Sequence, residues 1–328
     1  MLINYLFIFF GTFFLGMFFI SVSKKIALRY KVLVSGEIPL VGGIGIGISF
    51  VLVSLIGFFL YRGLSREIIG IIISATIMLI FGVIDDWREF SISIKFLVQI
   101  IATSLLIFFG IRTQIVYIGN LLNLIITVVW VLAITNAFNL LDVIDGLAAG
   151  CAMITSFAFF VVALLNGDTN IAILCLALAA AALSCLIYNF PPAKIYMGNS
   201  GSHFLGFTLA AIALVISYAP LERKIALLSP LLILGFPIFD TAFLILMRAG
   251  KARSILKKSN DHLALRFLRA GYSKKKALLF MLIFSLFFSL SGVGLSQASN
   301  KLGIIIIALV AIVGLLLTKK MSRVSVDA

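Results

Sequence analysis

Long apolar stretches, separated by short polar segments, recur from one end of this 328-residue chain to the other. Each stretch is close to the length that an α-helix needs to cross about 30 Å of hydrocarbon. Because backbone polar groups in lipid must bond within their own segment, each stretch is predicted to be a helix. The eleven predicted helices cover residues 2–22, 38–60, 68–84, 96–111, 121–139, 146–165, 170–190, 203–219, 226–247, 277–296 and 302–318.

Composition supports a lipid-facing surface. The chain is 62% hydrophobic and only 12% charged, whereas soluble domains are typically about 25% charged. The pattern predicts an all-α, polytopic integral membrane protein with about eleven transmembrane helices, organised as one domain over residues 1–328. The one long loop, residues 248–276, is strongly basic. The first stretch has no basic residue before it, and we interpret it as a retained helix rather than a signal peptide.

The distribution of Lys and Arg predicts the orientation. One alternating set of loops holds 20 of the 26 basic residues. The positive-inside rule places this set in the cytoplasm, with the N-terminus outside and the C-terminus inside. The net charge of +14 then follows from membrane topology, so we expect no nucleic-acid partner.

Acidic residues are few and unevenly placed. Nine of the twelve Asp and Glu fall on the predicted cytoplasmic side. A charge at the centre of a bilayer costs about 2.5–3.5 kcal/mol on insertion scales, so acids in or against apolar segments mark function by default. Five acids have such positions: Asp85, Asp86, Asp142, Asp145 and Asp240.

The first acidic motif is FGVIDDWREFSISIKFLVQ, residues 81–99. Asp85 and Asp86 repel each other, and a divalent cation or a basic substrate would relieve that repulsion. Lys95 and Gln99 follow at i, i+4 on one face of the next helix. Lys95 could pair with the acids structurally or hold a phosphate.

The second motif, NAFNLLDVIDGLAAG, places Asn136, Asn139, Asp142 and Asp145 three residues apart. On a continuous α-helix the ends of this series would face opposite ways. The four side chains converge only if the helix tightens or ends, which Gly146 permits. Carboxamides and carboxylates here suit a cation–diphosphate site, and the alternative is a polar network that joins helices.

Two glycine-rich segments differ in their predicted roles. In YNFPPAKIYMGNSGSHFLGF, residues 188–207, the residues Gly198, Gly201 and Ser202 would let backbone amides approach an anion where a helix begins. An ordinary turn is the alternative. The glycines of GEIPLVGGIGIG, residues 36–47, lack the dinucleotide spacing, so close helix packing is the stronger interpretation.

Farther along, Gly235 and Pro237 should bend the ninth helix, with Asp240 beyond the bend.

Taken together and in order, these motifs resemble the polyprenyl-phosphate N-acetylhexosamine-1-phosphate transferase family, glycosyltransferase family 4. The likeness runs from Pro39 to about Ser273. The motifs that carry it are IPLVGG, DDxxxxSxxxKFxxQ, NxxNxxDxxDGLA, GNSGSxFLG and FPxFD followed by the basic loop. The histidine run of the muramyl-pentapeptide translocases is missing, which favours the enzymes that use UDP-N-acetylglucosamine.

The resemblance implies transfer of a sugar 1-phosphate from a UDP-sugar to polyprenyl (undecaprenyl) phosphate with release of UMP, starting a lipid-linked glycan such as an O-antigen. The implied cofactor is Mg²⁺, or Mn²⁺ in its place. The implied location is a bacterial or archaeal plasma membrane, with the active site on the cytoplasmic face. The resemblance also allows a homodimer. The implied roles are as follows: catalytic, Asp85, Asp86, Asp142 and Asp145; substrate-binding, Lys95, Asn136, Gly198, Ser202, Asp240, Arg253 and His262; metal-binding, Asn139 and Asn199.

The chain departs from the family pattern at three places. Position 199 is Asn where most members have Asp, which removes one charge from the expected metal site. Val143 replaces a Gly, and Ala264 and Leu265 stand where relatives have histidines. Asn199 is the main argument for one alternative, a catalytically silent member that binds nucleotide-sugar or lipid. The segment DVIDGLAA also resembles the start of the CDP-alcohol phosphatidyltransferase motif, but the following Arg and the later paired Asp are missing. The remaining alternative is a transporter. A transporter would instead place acids near mid-membrane in broken helices.

Overall fold

A computed structural model of the chain describes residues 2–61, 63–115, 118–218, 223–249 and 261–324. Within these ranges the chain is nearly all helical, with a single two-stranded sheet. The helices are α1 Leu2–Tyr30, α2 Gly42–Tyr61, α3 Arg66–Trp87, α4 Ile92–Phe108, α5 Gly119–Leu141, α6 Leu147–Leu165, α7 Thr169–Asn189, α8 Gly198–Val215, α9 Ser229–Ile233, α10 Gly235–Ala249, α11 Leu263–Arg269, α12 Lys274–Gln297 and α13 Asn300–Ser322. Strand β1 (Val34–Ser35) pairs antiparallel with β2 (Ile38–Pro39).

The predicted polytopic membrane architecture is confirmed. Among the described residues, eight helices are long and apolar enough to cross a membrane, and the bent pair Lys224–Ile233 and Gly235–Ala249 makes up to nine. Every predicted stretch has a helix or a helix pair, but α4 has only 17 residues and α8 opens with a polar turn. Eleven spans, and their orientation, therefore remain predictions.

The predicted bend in the ninth apolar stretch is confirmed. Its two halves are inclined by 69°, and the break falls at Leu234, directly before Gly235. Pro237 lies in the first turn of α10, where its missing N–H leaves no helical bond unmade. Asp240 lies beyond the bend and is 3% exposed.

Helix starts follow ordinary capping chemistry. Four helices, α3, α7, α12 and α13, begin after a Ser or Asp whose side chain accepts a hydrogen bond from the amide three residues on. Such caps satisfy backbone donors that have no partner within the helix. The start of α6 differs, because Gly146 adopts a φ of +81° and the preceding helix has already ended at Leu141. The predicted interruption between the fifth and sixth helices is thus confirmed, with α5 ending at Leu141 and α6 beginning after Gly146.

The core of the bundle is formed by α7 and α8. Helix α7, which contains four consecutive buried alanines, packs against α6, α1 and α2. Helix α8 packs against α3, α5 and α2. Fifteen of its first sixteen residues are buried, and Ser202, His203 and Phe204 are fully enclosed. Helices α1 and α13 instead expose large apolar side chains, as lipid-facing helices do.

A buried arginine joins the short helix α11 to the end of α13. The Arg266 guanidinium is 3.1 Å from Asp261 Oδ1 and donates to the carbonyl oxygens of Met321 (3.1 Å) and Val324 (2.6 Å). It also lies over the ring of Phe243. Because the guanidinium is paired with a carboxylate and its N–H groups donate hydrogen bonds, Arg266 is buried without leaving an unpaired charge.

Candidate active site

An open cavity of about 710 Å³ lies where α3, α5 and α8 meet the loop between α5 and α6. Its wall is rich in carboxylate and carboxamide groups. Seven of the site residues predicted from the sequence line it: Asp85, Asp86, Asn139, Asp142, Asp145, Gly198 and Asn199. The other lining residues are Leu40, Trp87, Glu89, Val143, Ile144, Asn189, Tyr196 and Lys274.

Asp85 is paired with Lys95. The Lys95 Nζ atom is 2.7 Å from Asp85 Oδ2, and the amide of Phe90 donates to Asp85 Oδ1 at 2.9 Å. The Lys95 side chain is 18% exposed and that of Asp85 is fully buried. Of the two roles expected for Lys95, the structure shows the ion pair, and Lys95 is not among the residues that line the cavity.

Asp86 caps the start of α8. Its Oδ1 accepts from the amide of Asn199 at 2.7 Å, and its Oδ2 accepts from the amide of Ser200 at 3.0 Å. Gly198, with φ +75°, makes this approach possible, because a Cβ there would lie 2.5 Å from Asp86 Oδ2. The expected anion site at this helix start therefore needs correction: the anion that binds these two amides is the protein's own Asp86.

Glycines bring the backbones of α2 and α3 against the start of α8. A Cβ on Gly43 would lie 2.1 Å from the amide nitrogen of Gly201, and one on Gly82 would lie 2.4 Å from Ser200 Cα. The predicted role of the GEIPLVGGIGIG segment in close helix packing is confirmed. Backbone bonds add to it, since the amide of Gly43 donates to Met197 O at 2.9 Å.

The two predicted metal ligands are in contact. Asn139 Nδ2 donates to Asn199 Oδ1 and to Ser202 Oγ, both at 3.0 Å. Within the described residues, no group of three or more His, Cys, Asp or Glu is arranged to hold a metal ion. Mg²⁺ commonly needs only one or two protein ligands in addition to substrate phosphates, so the oxygen-rich cavity fits such an ion and the metal remains a prediction.

Asp142 and Asp145 lie in the loop after α5. Burial, followed by the charges of Asp86 and Asp145, raises the pKa of Asp142 to about 7. Among the described residues, none donates a hydrogen bond to the Asp142 carboxylate. Asp145 Oδ2 accepts from the amide of Ala193 at 3.3 Å and lies 4.0 Å from Lys274 Nζ.

Asn189 is a site residue that sequence reasoning missed. Its Oδ1 accepts from the amide of Gly146 at 2.8 Å, and its Nδ2 donates to Ile195 O at 2.9 Å. It therefore joins the start of α6 to the loop that precedes α8. Its place at the end of α7, directly before the Phe-Pro-Pro segment, was the available signal.

Several predicted substrate-binding residues lie away from the cavity lining. Asn136 donates to Gln99 Oε1 and to Leu132 O, both at 2.8 Å, so it joins α5 to α4 as the alternative interpretation expected. Ser202 is buried beneath Asn139.

Asp240 and His262 belong to a second polar region. Asp240 is buried on α10, which packs against α11. His262 precedes that helix and is 8% exposed. Burial, followed by the charge of Arg248, lowers the pKa of His262 to about 4. Arg253 lies outside the described residues.

Comparison with known proteins shows which family the chain resembles. The model of glycosyl transferase family 4 matches residues 68–217. A probable undecaprenyl-phosphate N-acetylglucosaminyl 1-phosphate transferase of Bacillus subtilis is 33% identical over 251 residues, which cover 74% of this chain and 70% of that protein.

Two further relatives agree. The decaprenyl-phosphate N-acetylglucosaminephosphotransferase of Mycolicibacterium smegmatis is 33% identical over 239 residues, or 64% of this chain and 59% of that protein. The undecaprenyl-phosphate alpha-N-acetylglucosaminyl 1-phosphate transferase of Escherichia coli K12 is 27% identical over 276 residues, or 78% and 73%. The resemblance drawn from the motifs is thereby confirmed, and the chain belongs to glycosyl transferase family 4.

Proposed function

We propose that this protein transfers N-acetylglucosamine 1-phosphate from UDP-N-acetylglucosamine to a polyprenyl phosphate and releases UMP. The observation that carries the proposal is the acid- and amide-lined cavity at the ends of membrane helices, with Asp85, Asp86, Asn139, Asp142 and Asn199 in its wall. The relatives' names supply the sugar and the lipid. A membrane protein suits a reaction in which one substrate is a lipid and the other a soluble nucleotide.

In the reaction, an oxygen of the lipid phosphate attacks the phosphorus that bears the sugar. The bond from that phosphorus to the oxygen bridging to UMP breaks, and UMP leaves with the electron pair. A proton on the attacking phosphate must be removed. Asp142 lines the cavity and accepts no hydrogen bond from the described residues, so its carboxylate is the group we expect to accept this proton.

The adjacent acids of the first motif, Asp85 and Asp86, have positioning roles. Asp85 holds Lys95, and Asp86 fixes the start of α8. Both therefore orient the cavity wall, and neither carboxylate is free of protein partners. Asn139 and Asn199 would hold Mg²⁺ together with substrate phosphates, and the ion would offset negative charge on the transferring and departing phosphates.

The proposal includes eleven membrane crossings, an external N-terminus and a cytoplasmic cavity. The excess of Lys and Arg on one set of loops supports this orientation. A cytoplasmic cavity also suits the donor, because nucleotide sugars are made in the cytoplasm.

The test is UMP release by purified protein in nanodiscs that contain undecaprenyl phosphate. We expect UMP only when UDP-N-acetylglucosamine and lipid phosphate are both present, with loss of activity after EDTA and recovery with Mg²⁺. Other UDP-sugars serve as matched donors. Absence of UMP with every donor would overturn the proposal.

A further inference from the structure

Lys274 is the cation that reaches the cavity. Among the described residues that line it there are five carboxylates, those of Asp85, Asp86, Glu89, Asp142 and Asp145, and one basic side chain, that of Lys274. Two substrates that both carry phosphate must enter this acidic space. A cavity with so much negative charge needs a cation to admit them.

The cation expected from the sequence does not meet this need. Lys95 is held 2.7 Å from Asp85, its side chain is only 18% exposed, and it is absent from the lining. Releasing it to a substrate would leave the fully buried Asp85 carboxylate without its ion pair, which is costly. Lys95 therefore neutralises Asp85 within the protein.

The geometry of Lys274 is that of a mobile cation at the edge of the cavity. Its Nζ lies 4.0 Å from Asp145 Oδ2, and its side chain is 63% exposed. An ion pair this long and this open to solvent is weak, so the ammonium group is free to leave Asp145 for a stronger anion. Lys274 is also the first residue of α12, whose start is fixed by the Ser273 cap, and a helix N-terminus favours a bound anion.

The neighbouring lysines provide the contrast. Lys275 and Lys276 follow directly in the sequence, are exposed, and are not among the residues that line the cavity. All three contribute to the basic character of the same loop, which membrane topology alone would explain. Because successive residues of a helix face different directions, only Lys274 lies at the cavity.

We infer that Lys274 is a substrate-binding residue whose ammonium group leaves Asp145 to bind a phosphate oxygen of the substrate. The inference rests on the proposed function and deepens it. Two phosphates could be bound, the diphosphate of the nucleotide sugar or the monoester of the lipid, and the same chemistry serves both.

The experiment compares Lys274→Gln with Lys275→Gln and Lys274→Arg in the UMP-release assay, with each substrate varied in turn. We expect Lys274→Gln to raise the KM for one substrate by about tenfold, as loss of a charge-assisted contact would. Lys274→Arg keeps the charge and should raise the KM less than Lys274→Gln does. Lys275→Gln should have the kinetics of the wild type. A raised KM for UDP-N-acetylglucosamine identifies the diphosphate, and one for undecaprenyl phosphate identifies the lipid. Equal kinetics for the two Gln variants would overturn the inference.

Failure of the proposed function is separable from failure of this inference. If the wild type releases no UMP from any donor, the proposed function fails by itself. Binding of UDP and of undecaprenyl phosphate to the same variants then tests Lys274. Weaker binding of either ligand by Lys274→Gln than by Lys275→Gln supports the inference, and equal binding of both ligands overturns it.

Discussion

The carboxylate of Asp86 accepts a hydrogen bond from the amide of Asn199, 113 residues farther along the chain, at 2.7 Å. A second bond, from Ser200, completes the cap of α8. Through this relationship one acid of the Asp85-Asp86 pair sets the position of the neighbouring carboxamide. Asp86, which the sequence predicts to be a catalytic acid, thus stabilises the start of α8.

Replacing Asp86 should therefore cost stability as well as activity. Asp86→Ala removes both acceptors of the cap, and the loss of a helix N-cap typically costs about 0.5–2 kcal/mol. We expect a lower midpoint of thermal unfolding in detergent together with loss of UMP release. A variant with wild-type thermal stability and no activity would instead indicate a purely catalytic Asp86.

Asp142→Asn should behave in the opposite way. Because no described residue donates to its carboxylate, the fold loses no hydrogen bond, but the proton acceptor is gone. We expect turnover to fall by about 10²-fold or more with no decrease in the unfolding midpoint. Full activity would remove Asp142 from the mechanism.

The raised pKa of Asp142 predicts a pH dependence of stability. The folded value is about 7 against an ordinary value of 3.8, so between these two values the unfolded state releases a proton that the folded state keeps. The contribution of Asp142 to the free energy of unfolding therefore falls as pH rises through that window, and it stays low at higher pH. The unfolding midpoint of Asp142→Asn relative to the wild type should therefore rise between pH 4 and about pH 7. A constant difference across that range would contradict the shift.

Asn199→Asp tests the expected metal ligand. The site tolerates an acceptor at this position, because Asn199 Oδ1 already accepts from Asn139. The added charge should strengthen Mg²⁺ binding, and we expect the Mg²⁺ concentration for half-maximal UMP release to fall several-fold. If the metal dependence is unchanged, position 199 is not a ligand.

Glycine substitutions test the close approach of the helices. Gly82→Ala would place a Cβ 2.4 Å from Ser200 Cα, and overpacking of this kind typically costs about 1–3 kcal/mol. Gly294→Ala in α12 is the matched control, because its Cβ would meet only Ile306 Cδ1 at 3.9 Å. We expect a lower unfolding midpoint and lower activity for the first variant and neither effect for the second. Equal midpoints would contradict the packing described for α8.

Much of the helical architecture could be predicted because hydropathy and helix length are local properties of the chain. The bend before Gly235 and the helix break at Gly146 were predictable for the same reason. The partner of Asp86 was not, because capping of α8 depends on how α3 packs beside it. The position of Lys274 at the cavity could not be predicted either. It is one of three consecutive lysines, and only the rotation of α12 about its axis separates it from the two that face solvent.

The bonds of Arg266 to the carbonyl oxygens of Met321 and Val324 bear on how the protein should be handled. They join the last turn of α13, and the residues directly after it, to α11 and the segment that carries His262. Shortened versions of the protein should keep residues up to 324, and an affinity tag is better fused at the N-terminal end. A preparation cut within that turn would be expected to lose substrate affinity while its membrane helices still fold.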